Sequence, residues 1–181
     1  MKKNFQKKYE FGAMVGRFCP LHLGHEEVIR TMLNRCERSI VIVGSADVPW
    51  SLPTFFDHTE RIGFIRTIFP DISAIPLPDF PGDDAAWIKA IDDILISFGM
   101  PPEETVFFGG SGGDVSVLAE QGRRKTHIVD RFDGTTPVIS ATEVRDALIA
   151  GRDQGAMLNP LIRDDVRKLW NDKWPDFMKH R

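Results

Sequence analysis

Cysteine is scarce: Cys19 and Cys36 are the only two in 181 residues, and their spacing is not that of a metal site. A reduced, cytoplasmic protein is the expectation. Long apolar runs are missing as well. No stretch nears the roughly 18 residues of a membrane span, and the first residues lack the apolar core of a secretory signal. Charge of one sign is not in excess, since 23 Lys and Arg face 26 Asp and Glu. That balance argues against a broad nucleic-acid surface. No repeat or low-complexity segment occurs. Familiar catalytic signatures are absent too: the histidines have no Ser-His-Asp or Cys-His setting. The glycine-rich stretch Gly109 to Asp114 lacks the closing Lys-Ser/Thr of a P-loop and the spacing of a dinucleotide fingerprint.

With 42% apolar residues, the chain has enough to bury a core as one domain of 181 residues. Residues 1–9 (Lys2, Lys3, Lys7, Lys8) read as a basic, solvated tail, and 156–181 as a C-terminal helical segment. Between them, apolar runs alternate with helical patterns, the mark of a parallel sheet flanked by helices. Strands are expected at Gly12–Gly16, Ser39–Val43, Ile72–Leu77, Glu104–Phe108 and Thr126–Val129. The β-branched run Ser39–Val43 is continuous rather than alternating, so it reads as a strand covered on both faces. Helices are expected at Gly24–Arg35, His58–Phe69 (capped by Asp57 or Thr59), Ala85–Phe98, up to Gln121, from Ser140 and over Leu161–Trp174. On the last of these, Leu161, Ile162, Val166, Leu169 and Trp170 form the apolar side. The expected fold is α/β: a Rossmann-like five-stranded parallel sheet, helices on both faces, and a C-terminal helix.

The stretch Gly16-Arg17-Phe18-Cys19-Pro20-Leu21-His22-Leu23-Gly24-His25 carries the chemistry. It lies where a strand hands over to a helix, the place where parallel α/β sheets bind ligands. Helix N-termini there present unpaired N–H groups and a partial positive charge that suit phosphate. His22 and His25 can each donate to one phosphate, Gly24 admits a close backbone approach, and Arg17 adds a fork of donors. Composition alone predicts about 0.011 such His-x-Gly-His matches.

Arg145 is the second cationic candidate. Ser140 and Thr142 place polar groups at the start of its helix, where a second phosphate can rest, although Ser140 with Glu143 also fits a plain capping box. Gly109 to Asp114 reads either as a turn open to a base or ribose, or as an ordinary glycine-rich turn. Trp87, early in its helix, suits stacking on a planar ring or simple core packing. Arg61 is either a helix-surface arginine or a partner for a second substrate's phosphate.

These residues resemble the HxGH-type nucleotidyltransferases, and within them the archaeal-type nicotinamide mononucleotide (NMN) adenylyltransferases. The likeness rests on Gly16-Arg17-Phe18-x-Pro20-x-His22-x-Gly24-His25, Gly44-Ser45-Ala46, Glu60-Arg61, Pro78-Asp79 with Trp87, and Ile139 to Arg145. It implies adenylyl transfer from ATP to NMN, giving NAD and pyrophosphate, with Mg²⁺ accompanying ATP and no metal ligand from the protein. His22, His25, Arg17 and Arg145 are then the catalytic group. Gly16, Phe18, Gly24, Gly109, Ser140 and Thr142 join them on the ATP side, and Ser45, Arg61 and Trp87 hold the mononucleotide. Family members often assemble, so a homo-oligomer is an open expectation. Cys19 stands where these enzymes usually have Gln, and the segment Val48 to His58 departs from their pattern beside the acceptor. Another acceptor, CTP as donor, or a non-catalytic sensor of the same fold remain alternatives.

Overall fold

The computed structural model describes residues 7–129 and 138–180. Five strands, β1 (Tyr9–Gly16), β2 (Cys36–Val43), β3 (Ser73–Pro76), β4 (Thr105–Gly109) and β5 (Lys125–Ile128), form one sheet in the order β3-β2-β1-β4-β5. Every pairing is parallel. Six helices accompany them: α1 (Leu23–Arg35), α2 (His58–Ile68), α3 (Asp84–Ser97), α4 (Gly112–Glu120), α5 (Ala141–Ile149) and α6 (Pro160–Lys179).

The alternation of side chains along β2 and β4 explains the layering. Val41, Val43, Val106 and Phe108 face a core shared with α1, α2, α5 and α6. Ile40, Ile42 and Phe107 face a second core with Ile91 and Leu95 of α3 and Val115 and Leu118 of α4. Helices thus cover both faces, as the continuous apolar run at Ser39–Val43 requires. The chain leaves β1 toward β2 on one side and reaches β4 on the other. The carboxyl ends of β1 and β4 therefore flank the point where strand order reverses, the natural ligand crevice of such a sheet.

Several expectations shift. Both β1 and β2 start earlier than the apolar pattern suggests, because Tyr9 pairs with Cys36 through backbone alone. Lys7 is exposed, but its ammonium is tied to the body of the protein. Its Nζ donates to the carbonyls of Leu33 (2.7 Å) and Cys36 (2.5 Å), satisfying the C-terminal end of α1. Lys2 and Lys3 lie outside the described residues, as does the polar connection 130–137. Helix α6 passes straight through Pro175 instead of stopping at Trp174. Its rings Trp170, Trp174 and Phe177 stack on one another and on Phe55, and that packing carries the helix past the proline. Leu161 is a correction: it is 65% exposed, while Ile162, Val166 and Trp170 are buried. Steps of four and three residues place Leu161 on the face of Asp165, Lys168 and Asp172. Among the described residues no helix is long and apolar enough to cross a membrane.

Candidate active site

The turn after β1 is shaped by two residues. Phe18 has a left-handed backbone (φ 52°) and folds its buried ring back toward Gly16. A Cβ at Gly16 would meet that ring at 3.0 Å, so the position tolerates only glycine without moving Phe18. The ring then packs edge-on against His25, with centroids 4.9 Å apart. Helix α1 starts at its N-cap His22, whose Nδ1 accepts the backbone N–H of His25 at 3.3 Å. An accepting Nδ1 puts the proton of the neutral ring on Nε2, which makes that nitrogen the donor of the ring. The two imidazoles stack with centroids 3.7 Å apart, so they act at one locus.

Helix α5 approaches from the other side. Asn, Ser and Asp side chains favour helix starts, and here Ser140 and Glu143 close a full capping box. The Ser140 hydroxyl is engaged with Glu143, so the first-turn N–H groups are what α5 offers an anion. The bonds from Ser140 hold the Glu143 carboxyl below its ordinary pKa, and the nearby His22 adds to this. Arg145, 8% exposed, donates to the carbonyl of Cys19 at 2.8 Å and to Thr142 Oγ1 at 3.0 Å. Burial lowers its pKa, yet a guanidinium stays charged at neutral pH. Burial also pushes the Cys19 thiol up, keeping it neutral between two arginines.

These elements enclose a cavity of about 310 Å³ lined by Gly16, Arg17, Phe18, His22, Gly24, His25, Gly109, Ser140, Thr142 and Arg145. Every residue expected on the ATP side is there. Gly109 is required by packing: a Cβ would meet Val115 of α4 at 2.9 Å. Pro53 also lines this cavity, so the segment after β2 reaches it as well.

A second hollow of about 300 Å³ adjoins it, lined by Val15, Gly16, Arg17, Gly44, Ser45, Asp79, Trp87 and Asp114. Ser45 donates to Asp79 at 2.9 Å, and Asp47 accepts the Asp79 N–H at 2.8 Å. Trp87 is half-buried, packed on the α3 core with part of its ring toward this hollow. Ser45 and Trp87 thus lie together as expected. Arg61 does not line this hollow but borders a neighbouring one together with Ser45. At 1% exposed it is not a helix-surface arginine, and all three of its nitrogens donate to backbone carbonyls.

Asp114 escaped the sequence reading although it lines both hollows. Its carboxylate accepts the Gly110 N–H at 3.0 Å, and the signal was the Ser111-x-x-Asp114 spacing at a helix start. Among the described residues no group of three or more His, Cys, Asp or Glu could hold a metal.

A strand-to-helix turn bearing two stacked imidazoles, closed by an arginine from a later helix, makes a site suited to phosphates, and the proteins this chain is similar to are nucleotidyltransferases. Residues 13–81 match the family model described as cytidylyltransferase-like. More specifically, the chain is 27% identical over 164 residues to the nicotinamide-nucleotide adenylyltransferase of Pyrococcus horikoshii, spanning 87% of this chain and 83% of that one. It is 28% identical over 166 residues to the enzyme of the same name from Pyrococcus furiosus, with the same coverage of each. A bifunctional NMN adenylyltransferase/ADP ribose pyrophosphatase from Francisella tularensis, solved with AMP and a manganese ion, shares the fold. The TM-score is 0.71 at 17% identity over 90% of this chain, which spans about half (49%) of that protein.

Proposed function

We propose that this protein transfers the adenylyl group of ATP to NMN, forming NAD and pyrophosphate. The observation that carries the reading is the shared wall. Two adjoining hollows, one lined by imidazoles and arginines and one by Trp87, Ser45 and Asp79, have Val15, Gly16, Arg17 and Asp114 in common. Transfer between two bound nucleotides needs such a junction.

A phosphate oxygen of the acceptor attacks the α-phosphorus of ATP, and the bond to the β-phosphate oxygen breaks in line. Such transfer needs alignment and charge neutralisation rather than a protein nucleophile. His22 and His25 donate to the phosphates as negative charge shifts onto pyrophosphate, and the start of α1 adds its partial charge. Arg145 and the α5 N-terminus hold the far phosphates, and Arg17 sits at the junction. On the acceptor side Trp87 stacks on the nicotinamide ring, and Ser45 marks the mononucleotide. The expected Mg²⁺ enters with the triphosphate. Among the described residues the ATP cavity is lined by one carboxylate, Asp114, which suits a cation held mainly by phosphate oxygens. When bound, it screens phosphate charge.

Purified protein with ATP, NMN and Mg²⁺ should release NAD and pyrophosphate in equal amounts. CTP as donor, and nicotinic acid mononucleotide or phosphopantetheine as acceptor, should work less well. A preference for CTP overturns the donor assignment, and a preference for nicotinic acid mononucleotide or phosphopantetheine overturns the acceptor assignment. Tight nucleotide binding without pyrophosphate overturns the enzyme.

A further inference from the structure

The parallel pairing of β1 and β2 runs out at Gly16 and Val43, with one last backbone bond from Gly44 N–H to the Gly16 carbonyl at 2.9 Å. Immediately beyond, both chains turn through left-handed backbone, Phe18 at φ 52° and Ser45 at φ 53°. Side chains other than glycine rarely adopt that conformation, so something must hold it. Arg61 of α2 lies under both turns. Its Nη1 donates to the carbonyls of Arg17 (2.8 Å) and Gly44 (2.7 Å), Nη2 to Ser45 (2.8 Å), and Nε to Asp57 (3.2 Å). One buried cation therefore ties the end of β1, the end of β2 and the start of α2. Arg17 lines both hollows and Ser45 lines the second.

We infer that Arg61 is a positioning residue that fixes the distance between the two substrate hollows by locking the Arg17 and Ser45 backbones onto one rigid guanidinium. It reaches the reaction only through those neighbours. A lysine at this position has its charge on a single nitrogen and cannot span four carbonyls. The kinetic consequence rests on the adenylyl-transfer reading, whereas the structural consequence does not.

The test combines hydrogen exchange by mass spectrometry with kinetics on Arg61→Lys. Residues 15–18 and 44–47 should exchange faster together, by about tenfold, while β4 and α6 stay as in wild type. The kcat for NAD formation should fall about 100-fold, as expected of lost alignment, with both KM values changed less than about threefold. Acceleration in neither segment, in one alone or throughout the molecule overturns the inference, and so does an unchanged kcat. If the variant does not fold, AMP added to wild type replaces it. AMP should slow exchange at 44–47 along with 15–18, and protection confined to 15–18 overturns the inference. A wild type that makes no NAD defeats the adenylyl-transfer reading, and the exchange behaviour of Arg61→Lys then decides the role of Arg61 alone.

Discussion

The two hollows on either side of Gly16 and Arg17 are built by different means. The first takes its character from two helix starts and from His22, His25 and Arg145, so it is cationic and shaped to grip phosphate. The second lies at the ends of β1 and β2 with Asp79, Asp114 and the Trp87 ring, and among the described residues Arg17 is its one arginine. Helix-end electrostatics thus shape the first hollow, while the second depends on how particular loops fold. Two buried arginines show the same division. Arg145 lines the cavity with part of its guanidinium, whereas Arg61 gives every nitrogen to backbone.

Four substitutions can break or sharpen that contrast. His25→Ala should fold normally by circular dichroism and lose about 10²–10³-fold in kcat or more, the scale of a lost oxyanion donor. Turnover like wild type would end the case for the phosphate side. Arg145→Ala should lower kcat/KM for ATP about 10- to 100-fold, the worth of a charge-assisted hydrogen bond. An equal rise in the acceptor KM would blur the two hollows into one. Trp87→Ala should raise the acceptor KM about two- to tenfold and leave the ATP KM alone, in keeping with one aromatic contact. The smallest effect is that of Glu143→Gln, which keeps the capping box but removes its charge. The carboxyl pKa is depressed in the folded protein, so its stabilisation is present above the ordinary glutamate value of 4.5 and lost as pH falls through the lower folded value. The variant should melt about 1–3 °C lower at pH 7 and match wild type in strong acid.

Much of this was legible in the sequence. The sheet followed from apolar runs such as Ser39–Val43, and the meeting of His22 and His25 in one hollow from their place at a strand-to-helix junction. Such features are local, and short spacings encode them. Arg61 was not legible, because its role depends on carbonyls 16, 17 and 44 residues away in sequence. The passage of α6 through Pro175 was hidden for a like reason. Local chemistry reads proline as a stop, and only contact with Phe55 outweighs it. Asp114 reaches both hollows only through the fold of its glycine-rich turn, where its carboxylate accepts the Gly110 N–H, and its spacing from Ser111 marks a helix start without encoding that placement.

The near-contact between positions 16 and 18 couples the two. A side chain at 16 must displace the aromatic ring at 18, and that ring buttresses the second imidazole of the motif. A methyl at 16 fits only if the ring at 18 gives way by a few tenths of an ångström, and that shift would be felt by the imidazole it touches.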